Sequence, residues 1–166
     1  MTYQPLNKRP LHNVLFVCED NARYSLIAEA LFRDGAISGM RSFSAGLRPA
    51  DAADPFTLSA LALSGLGADG LWPKHWDGFC LPNMRLIDTI VIFGEDTAVR
   101  LPRVFPGRPR YLVWPMNKLS DNQKLHQGVW RDIQRIRPFI SCLIDELIAR
   151  QGESSIGLAP AVFPGE

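Results

Sequence analysis

The chain has 166 residues, 46% of them hydrophobic, enough for one sizeable core and too few for two comfortable domains. Eighteen Lys and Arg against seventeen Asp and Glu leave a formal net charge of +1, so no global field would hold a nucleic acid or draw the protein to a membrane; any anion site must be local. Three widely spaced cysteines, Cys18, Cys80 and Cys142, make no CxxC pair, and His12, His75 and His126 make no metal-spaced cluster, which argues against a disulfide framework and a structural zinc site and predicts no metal or other cofactor.

The longest uncharged run, Pro55 to Ala68, is shorter than the roughly 20 residues a membrane helix needs. Lys8 and Arg9 precede only a brief apolar run before Glu19-Asp20, unlike a signal peptide. A cytoplasmic protein in a reducing setting is expected, with its oligomeric state open and a homodimer among the forms it could take.

Val14-Leu15-Phe16-Val17 is an unbroken apolar run that predicts a strand buried on both faces. A polar stretch, Cys18 to Tyr24, leads into an Ala/Leu-rich helix through Arg33, with Ser25 as a candidate cap. Arg41 to Ala45 reads as a second strand ending at Gly46. Asp54-Pro55 reads as an N-cap followed by Pro at the first helical position, and Gly65 or Gly67 ends that helix after Leu63. Asp88 to Phe93 is the clearest strand, and Tyr111 to Trp114 a weaker one after the Pro/Gly-broken stretch Leu101 to Pro109. Ile133, Ile136, Ile140, Leu143, Ile144 and Leu147 mark the buried stripe of a long helix in which Pro138 predicts a kink or break. Residues 151–166 read as a loosely packed tail after a single domain over 1–150. The alternation of strands and helices predicts a three-layer α/β fold with a four-stranded, mainly parallel sheet.

In such sheets ligands bind where strand ends lead into helix N-termini, and the first such loop holds Cys18. Oriented backbone N–H groups there stabilise a thiolate and bind an anion. The bland alternative is a buried structural thiol. Cys142, among Ile140, Leu143 and Ile144, reads as core, and Cys80 as packing. Trp76 and Phe79 read as core or groove wall, and Arg100, Arg103, Arg108 and Arg110 as a solvated basic loop.

Val14-Leu15-Phe16-Val17-Cys18, then Asn21, Ser25 and Ala28-Glu29-Ala30, resemble the opening of the low-molecular-weight protein tyrosine phosphatases and the related thioredoxin-linked arsenate reductases. Ser44-Ala45-Gly46, Asp54-Pro55, Lys74-His75-Trp76-Asp77-Gly78-Phe79, the Asp88 strand and Phe105-Pro106-Gly107 follow in that family's order, so the resemblance covers roughly residues 12 to 150. It implies a phosphate-like oxyanion or phosphorylated substrate, held by a loop of Cys18, Glu19, Asp20, Asn21, Ala22, Arg23, Tyr24 and Ser25. It implies Cys18 as nucleophile and Ser25 as the hydroxyl that tunes it.

The family's arginine position holds Tyr24, with Arg23 one residue early as a displaced anion clamp. A neighbour on a tight loop points elsewhere, so the fork geometry of a guanidinium does not carry over. Glu19, Asp20 and Arg23 sum to −1 across the loop, opposing thiolate and phosphate alike. The family's Asp-Pro acid is absent after the fourth strand, where Asp121 is the nearest carboxylate. The arsenate-reductase relay needs two more cysteines near the third strand, where Phe93-Gly94 and Leu101-Pro102 stand. Two readings follow: a cysteine-dependent phosphate-monoester hydrolase using Cys18, Arg23, Ser25 and Asp121, or a catalytically impaired oxyanion-binding or protein-interaction module of the same fold.

Overall fold

The computed structural model describes residues 12–116 and 126–156, with side chains for 12–116 and 127–152. The chain runs β1 (His12–Cys18), α1 (Tyr24–Gly35), β2 (Met40–Gly46), α2 (Pro55–Leu63), β3 (Thr89–Phe93), α3 (Glu95–Arg100), β4 (Arg110–Trp114) and α4 (His126–Ile156). The four strands form one sheet in the order β2-β1-β3-β4, and every pairing is parallel. The fold is therefore the expected three-layer α/β arrangement, with β1 flanked by strands on both sides.

Side chains along β1 alternate between two cores, as the period of a strand requires. Val14, Phe16 and Cys18 pack with Leu26, Ile27 and Phe32 of α1 and with Ile133, Ile136 and Ile140 of α4. Leu15 and Val17 face the other way, with Ile90 and Ile92 of β3 and with Phe79, Leu101 and Phe105. Since both faces are covered, Val14 to Val17 have no exposed surface, which explains why the sequence shows an apolar run instead of an alternation.

Several expectations are corrected. Ser25 is not a cap: Arg23 holds the N-cap position of α1, and Ser25 lies inside the first turn, fully buried. Pro138 does not break α4, because it and Gln134, whose carbonyl loses its helical partner, both lie on the exposed face where water can take the bond. Cys142 is exposed, turned off the buried stripe into a groove beside Trp114 and Phe139. Of the four arginines read as a solvated loop, Arg103 and Arg108 are exposed in the connection between α3 and β4, with the Arg103 guanidinium 4.0 Å from the Tyr111 ring centre, whereas Arg100 belongs to α3 and Arg110 opens β4 and pairs with Glu146 at 2.5 Å. The helix α4 continues to Ile156, so the first residues of the expected tail are helical, and the rest lie outside the described residues. Among the described residues no helix is long and apolar enough to cross a membrane.

Asp54 caps α2 as expected, its carboxylate accepting from the backbone N–H groups of Phe56 and Thr57. Phe79 is core and Trp76 half-buried, in a short 3₁₀ turn, Trp76–Cys80, and Cys80 packs half-buried against the second core. The register sets Cys18 beside Gly46 at the carboxyl edge of the sheet. There the chain leaves β1 for β2 on one side and later returns to β3 on the other, the switch point at which parallel sheets bind ligands.

Candidate functional site

The loop from Cys18 to Tyr24 is held from outside by its carbonyls. Leu47 N–H donates to Cys18 O at 3.2 Å, Arg48 to Glu19 O at 2.8 Å, Ala50 to Asp20 O at 2.9 Å, Asp54 to Ala22 O at 3.1 Å and Ile27 to Arg23 O at 2.9 Å. In a trans peptide the next N–H points opposite to the carbonyl, so four of these bonds turn the amides of Glu19, Asp20, Asn21 and Arg23 the other way, into the loop. A ring of inward amides at the start of a helix is a cradle for an anion.

Asn21 fastens the base of this cradle. Its φ of 49° is a left-handed conformation, which Asn tolerates better than most residues. Its Oδ1 accepts from Lys74 N–H at 2.7 Å and its Nδ2 donates to Ser25 Oγ at 2.7 Å. Since Ser25 Oγ accepts from Asn21, its own hydrogen is free for Cys18 Sγ, 2.9 Å away. Gly46 makes the close approach: a Cβ there would sit 3.0 Å from both N and Cβ of Asn21. Behind it, Ser44 Oγ donates to buried Glu29 Oε2 at 2.5 Å, and the Lys74 ammonium stands 3.7 Å from the same oxygen.

Charges around the loop are largely spoken for. Glu19 is gripped by two guanidiniums: Arg48 Nη2 lies 2.6 Å from its Oε1, and Arg100 Nη2 closes on its Oε2. These bonds hold its carboxyl below the ordinary range, Arg100 first. Arg23 extends to α4, where its Nη2 lies 2.6 Å from Asp132 Oδ2; both side chains are 5% exposed. Burial pushes the Asp132 carboxyl up, and Arg23 opposes the rise.

Tyr24 stacks on Phe93 with ring centres 5.9 Å apart, and burial lifts its phenol to about 12. Asp20 is left as the charge nearest the thiol: its Oδ1 accepts from Ala22 N–H at 3.1 Å and lies 3.7 Å from Cys18 Sγ. Cys18 itself is 3% exposed. Burial, and after it Asp20, pushes its thiol up to about 11, against the pull of Ser25.

The structure thus gathers Cys18, Asp20, Asn21, Ala22 and Ser25 into one site, while the side chains of Glu19, Arg23 and Tyr24 are engaged elsewhere. Asp121 lies outside the described residues. Sequence reasoning missed Asp132, Arg48, Arg100 and Lys74 as partners of the loop, since each comes from a distant element and carries no local signal.

Residues 13–125 match the family model of low molecular weight phosphotyrosine protein phosphatase. A thioredoxin-dependent arsenate reductase of Corynebacterium glutamicum is 29% identical over 87% of this chain, with a TM-score of 0.60, and the match spans 64% of that protein's length. An arsenate reductase of Archaeoglobus fulgidus is 28% identical, covering 80% of this chain and 98% of its own, with a TM-score of 0.62. The low molecular weight protein tyrosine phosphatase of T. tengcongensis, 17% identical over 81% of this chain and 99% of its own, shares the fold at a TM-score of 0.64. The sheet order, the loop and the family match agree, and the chain belongs to the low molecular weight phosphotyrosine protein phosphatase family.

Proposed function

We propose that the protein is an oxyanion-binding member of this family, taking phosphate or a phosphorylated ligand in the Cys18 loop, with cysteine-dependent hydrolysis strongly impaired. The observation that carries the reading is the outward turn of the loop carbonyls, which leaves backbone amides to hold the anion. Impairment follows from the side chains. Tyr24 has no charge to give, and Arg23 would have to leave a buried ion pair whose disruption costs about 3–5 kcal/mol. A thiol held at about 11 is almost wholly protonated at neutral pH, whereas the nucleophile is the thiolate. Three free cysteines suit a reducing, cytoplasmic setting.

The hydrolase reading keeps one observation in its favour, the Asn21–Ser25–Cys18 hydrogen-bond chain, which places a hydroxyl to tune the sulfur. In that reading the Cys18 thiolate attacks the phosphorus and the P–O ester bond breaks, its oxygen leaving with a proton from Asp121. Water then cleaves the S–P bond to release phosphate, while Arg23 leaves Asp132 to clamp the anion. Phosphate titration by calorimetry, with turnover of an aryl phosphate by the wild type and by Cys18→Ser, separates the two. Binding with no Cys18-dependent turnover is expected; turnover that disappears in Cys18→Ser would replace the first reading by the second.

A further inference from the structure

Asp20 is the unusual member of the loop. Its neighbours' charges are consumed by distant partners, but among the described residues no cation pairs with Asp20. One carboxylate oxygen instead takes the Ala22 N–H at 3.1 Å and stands 3.7 Å from Cys18 Sγ. The Ala22 N–H, which is not one of the four amides that the carbonyl bonds turn inward, is thus held by Asp20 close to the thiol, where an oxygen of a bound oxyanion would compete for it. The side chain is exposed, so it sits at the mouth with solvent on one side and the buried thiol on the other.

We infer that Asp20 is the residue that sets anion selectivity at this site: its carboxylate stands in the cradle as a built-in competitor for one oxyanion oxygen and disfavours dianionic ligands such as phosphate. The inference rests on the oxyanion-binding reading above and deepens it. Two effects act together. The carboxylate occupies the Ala22 amide, a charge-assisted bond that an incoming anion must displace. Its negative charge also remains close to whatever anion enters, and like charges in a partly desolvated site repel. A ligand of lower charge suffers less from the second effect, so the wild-type site should rank sulfate monoesters, which are monoanions, above phosphate monoesters, which are dianions.

The test is calorimetric titration of the full-length protein with inorganic phosphate in wild type, Asp20→Asn and Asp20→Gly. Asn removes the charge but can keep its oxygen on the Ala22 amide; Gly removes both. Phosphate affinity should rise in the order wild type, Asp20→Asn, Asp20→Gly, with the last at least about tenfold tighter than wild type. A second measurement follows the Cys18 thiolate by ultraviolet absorbance, which should appear at lower pH in Asp20→Asn. If the Gly variant does not fold, Asp20→Asn still decides through its affinity. Wild-type binding that neither folded variant improves overturns the role of Asp20 and leaves the oxyanion-binding reading intact. An earlier thiolate without tighter phosphate binding also overturns it. No phosphate binding by any folded form overturns both.

Discussion

The Arg23 guanidinium lies 2.6 Å from the Asp132 carboxylate, in a spot where each side chain is 5% exposed. One residue comes from the loop and the other from α4, so the contact ties the anion cradle to the helix that covers one face of the sheet. A buried pair gains little over well-packed apolar groups, yet losing one partner strands a charge. Asp132→Ala or Arg23→Ala should each cost about 3–5 kcal/mol in urea denaturation, while the double variant Arg23→Met with Asp132→Leu should regain most of it. Equal and additive losses in the double variant would show that the charges do not act as a pair.

Cys18 links the same site to alkaline stability. Its thiol is pushed up to about 11 from 9.0, by burial first and Asp20 second. The folded state therefore holds the proton at pH values where the unfolded chain has lost it. The resulting stability is fully present below about pH 9 and is lost as pH rises through about 11. Tyr24, also raised, acts in the same direction at higher pH, so the comparison must be with Cys18→Ser rather than with neutral pH alone. Denaturation curves from pH 8 to 11 should fall more steeply for wild type than for Cys18→Ser. Parallel curves would mean that the thiol is not the group responsible. At neutral pH, alkylation of Cys18 by iodoacetamide should likewise be slower than that of free cysteine.

Strands β1 and β3 were legible because burial on both faces leaves unbroken apolar runs, and Asp54-Pro55 was legible because capping is a local bond. The short helix α3, six residues with Glu95 and Asp96 at its start, has too little apolar periodicity to stand out. Cys142 shows the limit of reading a stripe from neighbours: Ile140, Leu143 and Ile144 are buried, but its own rotation about the helix takes it to the groove side. At the site, Cys18, Asn21 and Ser25 were legible as a local pattern. The destination of Arg23 was not, since Asp132 lies over a hundred residues away in sequence, and neither was the grip of Arg48 and Arg100 on Glu19.

Gly46 offers a direct test of how tightly the cradle is built. A Cβ at this position would meet Asn21 N at 3.0 Å and the Asp20 carbonyl carbon at 3.1 Å, both backbone atoms that cannot rotate away. Its own N–H is bound to Lys74 O at 2.8 Å, which prevents β2 from retreating. Gly46→Ala should destabilise the protein by about 1–3 kcal/mol through overpacking and should open the loop. Thermal melts report the first effect, and faster alkylation of Cys18 the second. An unchanged melting temperature together with unchanged alkylation would mean that the loop can shift at no cost.

Glu19 separates charge at the rim from charge inside the cradle. Its single negative charge meets Arg48 and Arg100, so the cluster carries a formal +1, which Glu19→Gln raises to +2. The guanidiniums are at the mouth of the loop and largely in solvent, where their field is screened over about 10 Å at 0.1 M salt. Glu19→Gln should therefore tighten phosphate binding by a few-fold, about two to five times, in low salt and lose the gain in 0.5 M NaCl. The improvement expected from Asp20→Gly, by contrast, comes mainly from freeing the Ala22 amide and should persist in high salt. Calorimetric titration of both variants at the two salt concentrations checks the distinction. A Glu19→Gln gain that survives high salt would place Glu19, rather than Asp20, in direct competition with the anion.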